Sequence, residues 1–223
     1  MLAFTKKRGC DVKLNEIAVK DDLKVYDDLL GVTVNIGIVD NPQVITKDTQ
    51  DRAWDTYFDI GGVHVRSLQY CPKVIKGWFQ ANNNPYLESL EHGPTSVGGS
   101  YDVSNTGISS LDGFPAHVGS ILDFSECHHL HSLHDIHRHT KNARVVKFNA
   151  RELKNSERDV LESVLGLILI EGLERIEIYY GNSSRTQDPL HDILNSHLGR
   201  GRSGLIDCQN ELLDAGLDEF AKL

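Results

Sequence analysis

Residues 89–108 read SLEHGPTSVGGSYDVSNTGI, and residues 110–130 read SLDGFPAHVGSILDFSECHHL. Both open on Ser-Leu, reach a proline five positions after the serine, and pass a Val-Gly pair into an alternating apolar stretch. The Ser-Leu pair occurs at Ser67-Leu68, Ser89-Leu90, Ser110-Leu111 and Ser132-Leu133, with spacings of 22, 21 and 22 residues. Proline keeps the same beat at Pro72, Pro94 and Pro115, and valine follows two or three residues later at Val74, Val97 and Val118. Self-similarity at this period marks a stack of repeats. One unit cannot bury its own apolar face, so the units must lie on one another.

Each unit carries an i, i+2 apolar pair, the mark of a strand that shows one side to a core. The pairs are Phe58/Ile60, Phe79/Ala81, Tyr101/Val103 and Leu122/Phe124. Further apolar positions follow at Val65 and Leu68, at Tyr86 or Leu87 and then Leu90, at Ile108 and Leu111, and at His129 or Leu130 and then Leu133. Asn, Gly and Ser between them supply the corners. These offsets resemble those of leucine-rich repeats, LxLxxNxLxxL, with Asn84, Thr106 and Cys127 at the asparagine position.

A closer resemblance covers about residues 58–223. SLQYCPKVIKGWFQANNN (67–84) and the two segments quoted above resemble the short TSLEGCPKxVGGxFxCSxNxL repeats of proteins encoded by tailed bacteriophages. In that family the repeats run out into an Ile-His-Lys/Arg-His-like segment, a Gly-Leu-rich stretch and a CQxELxxAGLxEFAxL terminus. The matches here are Ile136-His137-Arg138-His139, then Gly166 to Leu173, then Cys208 to Leu223. The resemblance implies a phage or prophage origin and a repeat fold, and carries no activity with it. Residues 1–57 fall outside it.

The expected architecture is therefore α/β: a leucine-rich-repeat-like solenoid of four to five short turns between two caps. An N-terminal β-rich cap takes residues 1–57, with a strand over Val32–Ile38 that is β-branched and bounded by Gly31 and Asn41-Pro42. The solenoid takes residues 58–153, with Val146 and Phe148 in its last strand. Residues 154–223 form an α/β C-terminal cap. There Asn155-Ser156-Glu157 starts a helix carrying Val160, Leu161, Val164, Leu165 and Ile168, and Leu173 to Tyr179 alternate as a strand. Helices from about Pro189 to Leu198 and from Leu205 to Ala215 close the chain, the second capped by Gly216.

Composition bounds the function classes. Of 223 residues, 39% are hydrophobic and 25% charged, which excludes wholesale disorder. The longest apolar run, Val164 to Ile170, is far shorter than the roughly 20 residues of a membrane span. The start, MLAFTKKRGC, lacks the apolar stretch of a secretory signal. With the resemblance, this places the protein in the cytoplasm of an infected host cell. Cys10, Cys71, Cys127 and Cys208 lie too far apart for a zinc ribbon or a dense disulfide framework, and read as free thiols. A net charge of −9 argues against unaided nucleic-acid binding. Residues 67–137 hold seven acids against two bases, whereas residues 138–150 hold four bases and no acid.

For chemistry, the conspicuous cluster is His128, His129, His131, His134, His137 and His139. It invites zinc or nickel, but no cysteine or carboxylate spacing completes a site. Leu130, Leu133 and Ile136 obey the repeat among these histidines, so the cluster reads as scaffold with histidines at exposed corners. No HExxH, P-loop, GxGxxG or Ser/His/Asp arrangement stands out. No catalytic residue, cofactor or metal is expected. The strand residues that face outward are the better lead: Asp59, Gln80, Asn82, Asp102, Ser104, Asp123, Ser125, Glu126 and Lys147. In register they form a polar, mainly acidic strip, the kind of extended face on which solenoids bind partners. The expectation is a non-enzymatic protein-interaction module, acting on a host or defence protein. The alternatives are a metal-dependent enzyme or effector built on residues 128–139, and a virion component.

Overall fold

The computed structural model describes residues 35–36, 53–62, 65–151, 161–180, 183–184 and 188–223. Between Ala53 and Asp123 the chain lays down eight short strands. These are β2 (Ala53–Trp54), β3 (Phe58–Asp59), β4 (Val74–Ile75), β5 (Phe79–Gln80), β6 (Ser96–Val97), β7 (Tyr101–Asp102), β8 (His117–Val118) and β9 (Ile121–Asp123). They alternate between two sheets, so each coil of the chain gives one strand to each. Sheet B has the order β2-β4-β6-β8, and every pair in it is parallel. Sheet A starts with β1 (Asn35–Ile36), antiparallel to β3, and continues through β5, β7 and β9 in parallel. The fold is a β-solenoid, and among the described residues its helices begin only at Ile136.

The repeated residues each do one physical job. The Ser67, Ser89, Ser110 and Ser132 hydroxyls accept the backbone N–H two residues on, at Gln69, Glu91, Asp112 and His134. The leucine after each serine is buried, and its carbonyl closes the turn by accepting from Cys71, Gly93, Phe114 or Ile136. The turn needs a left-handed residue, supplied by Tyr70, His92, Gly113 and Asp135. A second corner passes through Asn83, Asn105 and Glu126, again with positive φ. At the third corner, between the two sheets, the coils touch backbone to backbone. There a Cβ on Gly98 would meet the Lys76 carbonyl, and one on Gly119 the Gly98 carbonyl.

Inside, the i, i+2 pairs are all buried, from Phe58/Ile60 to Leu122/Phe124. The Phe58, Phe79 and Tyr101 rings stack at 6.1 and 5.0 Å between centroids. Coil four has Leu122 at that position, so the aromatic run crosses the core through Phe114 to Phe124 and then Phe148. The open alternatives resolve to Leu87 and Leu130, both buried, whereas Tyr86 is 55% exposed. One alignment needs correction. Ile75, not Val74, pairs with Val97, which pairs with Val118; Val74 points to solvent.

The asparagine position is an internal ladder. Asn84 Oδ1 accepts from Val65 N at 3.0 Å, and Nδ2 donates to the carbonyls of Ile60 at 2.9 Å and Ala81 at 2.8 Å. Thr106 Oγ1 donates to Val103 O, and Cys127 Sγ reaches the same carbonyl from the following coil. Burial pushes the Cys127 thiol up to about 11 and the Cys71 thiol up to about 12, so neither is a reactive thiolate.

Beyond coil four, a single turn α1 (Ile136–His139) leads into β10 (Val145–Arg151), parallel to β9, and then to β11 (Arg175–Tyr180), parallel to β10. Sheet A therefore does not stop at Val146 and Phe148 but continues through the strand expected near Leu173–Tyr179. It ends on β12 (Ser183–Ser184), antiparallel to β11. The expected helix start at residues 155–157 lies outside the described residues, and Val164–Leu169 form a 3-10 helix. Helices α2 (Pro189–Ser196) and α3 (Gly201–Asp214) follow, α3 beginning four residues earlier than expected. Gly216 N and Leu217 N donate back to Leu213 O and Leu212 O, closing α3 as the glycine implies. Of the expected N-terminal strand, the structure describes Asn35–Ile36, and the rest lies outside the described residues.

Candidate functional site: the outer row of sheet A

The pleat of sheet A turns alternate residues outward, and the parallel register aligns them. Asp59 stands beside Gln80, then Asp102, Asp123, Lys147 and Glu177, one per strand. Two residues further along their strands come Asn82, Ser104 and Ser125. All of these from Asp59 onward are half-buried. The row is a sheltered polar face, packed side to side.

Its carboxylates are tied down locally. Asp102 Oδ1 accepts from Ser104 N at 3.0 Å and Ser104 Oγ at 2.7 Å, while Oδ2 accepts from Asn82 Nδ2 at 2.9 Å. Asp123 repeats the motif with Ser125, at 3.1 Å from N and 2.6 Å from Oγ. Asp59 Oδ1 accepts from Gly61 N at 2.9 Å. In coils three and four, Asp-x-Ser thus fixes one carboxylate oxygen through a short turn. Burial pushes the Asp102 carboxyl above the usual carboxylate range. The Ser104 bonds oppose that rise, and the Asp123 charge adds to it. Glu126, expected on the same face, is at the second corner, where its N–H donates to Asn149 Oδ1 at 2.7 Å.

At the C-terminal end the charge changes. Lys147 Nζ lies 3.8 Å from Asp123 and 3.6 Å from Glu177. Arg175 also pairs with Glu177, at 2.7 Å. The basic stretch 138–150 is therefore a seam between coils. Arg144 grips Glu174 with two bonds of 2.9 and 3.0 Å, and Arg138 pairs with Asp135. Three of its four charges, on Arg138, Arg144 and Lys147, are thus paired within the molecule. By contrast, residues 77–137 contain seven acids and no lysine or arginine.

The histidine-rich stretch does not assemble a centre. His128, His129, His131 and His134 are exposed, and His137 and His139 are half-buried. Burial, chiefly, lowers the His137 pKa from its ordinary value. Among the described residues, no three His, Cys, Asp or Glu side chains come together as a group able to hold a metal ion. Among the same residues, no helix is long and apolar enough to cross a membrane.

Of the ion-paired end of the row, the sequence pattern includes Lys147 but neither Glu177 nor Arg175. Glu177 and Arg175 come 30 and 28 residues after Lys147, across a segment with no repeat to set the register. No protein-family model, no curated protein and no solved structure matches the chain.

Proposed function

We propose that the protein is a non-enzymatic interaction module that binds a basic protein partner across the outer row of sheet A. The carrying observation is the in-register series Asp59, Gln80, Asp102 and Asp123, whose members from Gln80 onward lie in a segment, residues 77–137, without a single lysine or arginine. Adjacent carboxylates in parallel register repel, and a cationic partner relieves that repulsion and gains association rate from the acidic field. The Asp-x-Ser turns hold each carboxylate ready, so little side-chain freedom is lost on binding. We further read the coils as leucine-rich-repeat-like, on the strength of the Asn84 ladder. We read the protein as phage-encoded and acting on a host or defence protein in the infected cell's cytoplasm, on the strength of the repeat resemblance.

The test is affinity capture from host lysate with the wild-type chain and with Asp102→Asn/Asp123→Asn. This pair removes charge while keeping an acceptor for Ser104 and Ser125. The expected result is a basic protein retained by the wild type, released by moderate salt and lost by the double variant, whose melting temperature is equal to or above that of the wild type. Capture of the same protein at equal yield by both would end the proposal.

A further inference from the structure

The repeat spacing of 22, 21 and 22 residues hides a deletion with a structural result. Between ladder residue and buried apolar residue, coil two has Pro85-Tyr86 and coil four has His128-His129, but coil three has Gly107 alone. Coil three therefore runs inset between its neighbours. A Cβ on Gly107 would stand 2.5 Å from the Pro85 carbonyl oxygen, so the backbone there already presses on coil two. The inset leaves a cavity of about 210 Å³ lined by Pro85, Glu88, Gly107, Ser109 and His129. Small-molecule pockets run from about 300 Å³ upward, so this one is the size of a single side chain.

Its walls specify the guest. Glu88 offers a carboxylate and Ser109 a hydroxyl, while Pro85 and the His129 ring offer flat faces. Glu88, Ser109 and His129 are exposed, and none of their side chains hydrogen-bonds or ion-pairs among the described residues. Residues 77–137 hold no lysine or arginine, and Arg66 of the preceding coil is stacked over the Tyr86 ring at 5.5 Å rather than paired with Glu88. A planar, permanently charged group with several donors matches this set, because guanidinium both stacks on flat surfaces and donates to carboxylates.

Resting on the reading that the partner is basic, we infer that the notch between coils two and four seats an arginine side chain of that partner. The site lies on the returning side of the coil, around the Asn84 corner from the row on sheet A. A partner engaging both wraps the edge of the solenoid.

The test is a titration of the full chain with N-acetyl-arginine amide, followed by the backbone NMR signals of Gly107, Ser109 and His129. The expected result is a saturable shift confined to the notch and absent with the isosteric, uncharged citrulline amide. Glu88→Gln, at an exposed position where folding is not at stake, weakens the response about fivefold, the upper end for an exposed ion pair. Equal responses to arginine and citrulline amides, no saturable shift, or an unchanged response in Glu88→Gln overturns the inference. If the notch ignores arginine while capture still depends on Asp102 and Asp123, the inference fails and the interaction reading stands.

Discussion

Two ladders run along this molecule with the same period, one inside and one outside, and they obey different physics. Within the coil, Asn84, Thr106 and Cys127 are buried and bond to backbone groups inside the coil. Outside, Asp59, Asp102, Asp123 and Lys147 bond mainly to side chains and turn amides within reach of water. The inner residues are held by the cost of leaving buried groups unpaired. The outer ones are free, in stability terms, to be chosen for something else. Periodicity alone marks a position; burial decides whether the fold or a partner constrains it.

The largest break in that contrast is Asn84→Ala. It orphans Val65 N–H and the carbonyls of Ile60 and Ala81. At about 1–3 kcal/mol for each buried group left unpaired, partly offset by relaxation, it should cost roughly 3–5 kcal/mol in chemical denaturation. Gln80→Ala on the outer row should stay within about 0.5 kcal/mol. A similar cost at both positions would erase the distinction.

Leu111→Ala comes next, at roughly 2–5 kcal/mol, the range for truncating a buried leucine. Leu111 is buried as its equivalents Leu68, Leu90 and Leu133 are. A denaturation midpoint that does not move would mean that the coils are not packed through this column.

Tyr101→Phe sharpens the comparison from the opposite side. Tyr101 is a ring of the inner stack, yet its hydroxyl is buried with no hydrogen-bond partner. Removing it should stabilise the protein by about 1 kcal/mol, the low end for relieving an unsatisfied buried group. A loss of stability would show that the hydroxyl is engaged.

The smallest effect is on the outer row and depends on pH. Asp102 has a raised carboxyl pKa in the fold, so the native state holds that proton more tightly than the unfolded chain does. Stability therefore falls as pH rises from the ordinary carboxylate value, about 3.9, through the higher folded value. Asp102→Asn removes this loss. Its melting temperature relative to wild type should climb across that interval and level off above it. A difference that is flat with pH, or that shrinks as pH rises, contradicts the strained-carboxylate picture.

Much of the inner ladder was legible beforehand, because a 21–22-residue beat with i, i+2 pairs leaves little choice about which side faces in. The second strand of each coil was not. Strands β2, β4, β6 and β8 are two residues long, too short to show an alternation. A constant offset of three from Pro72, Pro94 and Pro115 picks out Ile75, Val97 and Val118. Matching residue type rather than distance led instead to Val74. The outer row could be written down from the pattern, but its degree of shelter could not. That shelter comes from neighbouring side chains, Asn82 on Asp102 and Lys147 on Asp123, which sit a coil or more away in sequence. The helix expected to carry Val164, Leu165 and Ile168 is a 3-10 turn over Val164–Leu169, and because its first five residues are all buried the apolar spacing there does not fix the helix type.

Sheet A meets a reversed strand at each end, β1 at Asn35–Ile36 and β12 at Ser183–Ser184. A parallel stack of this kind has a direction, and adding coils would lengthen it one rung at a time. Among the described residues, the reversed strands bound the parallel run. The outer row then has six positions, Asp59 to Glu177, and five gaps of about 4.8 Å make it about 24 Å long. That is the length of an α-helix of about 16 residues. The solenoid is in this sense a ruler, and anything laid across its strands would be measured against those marks.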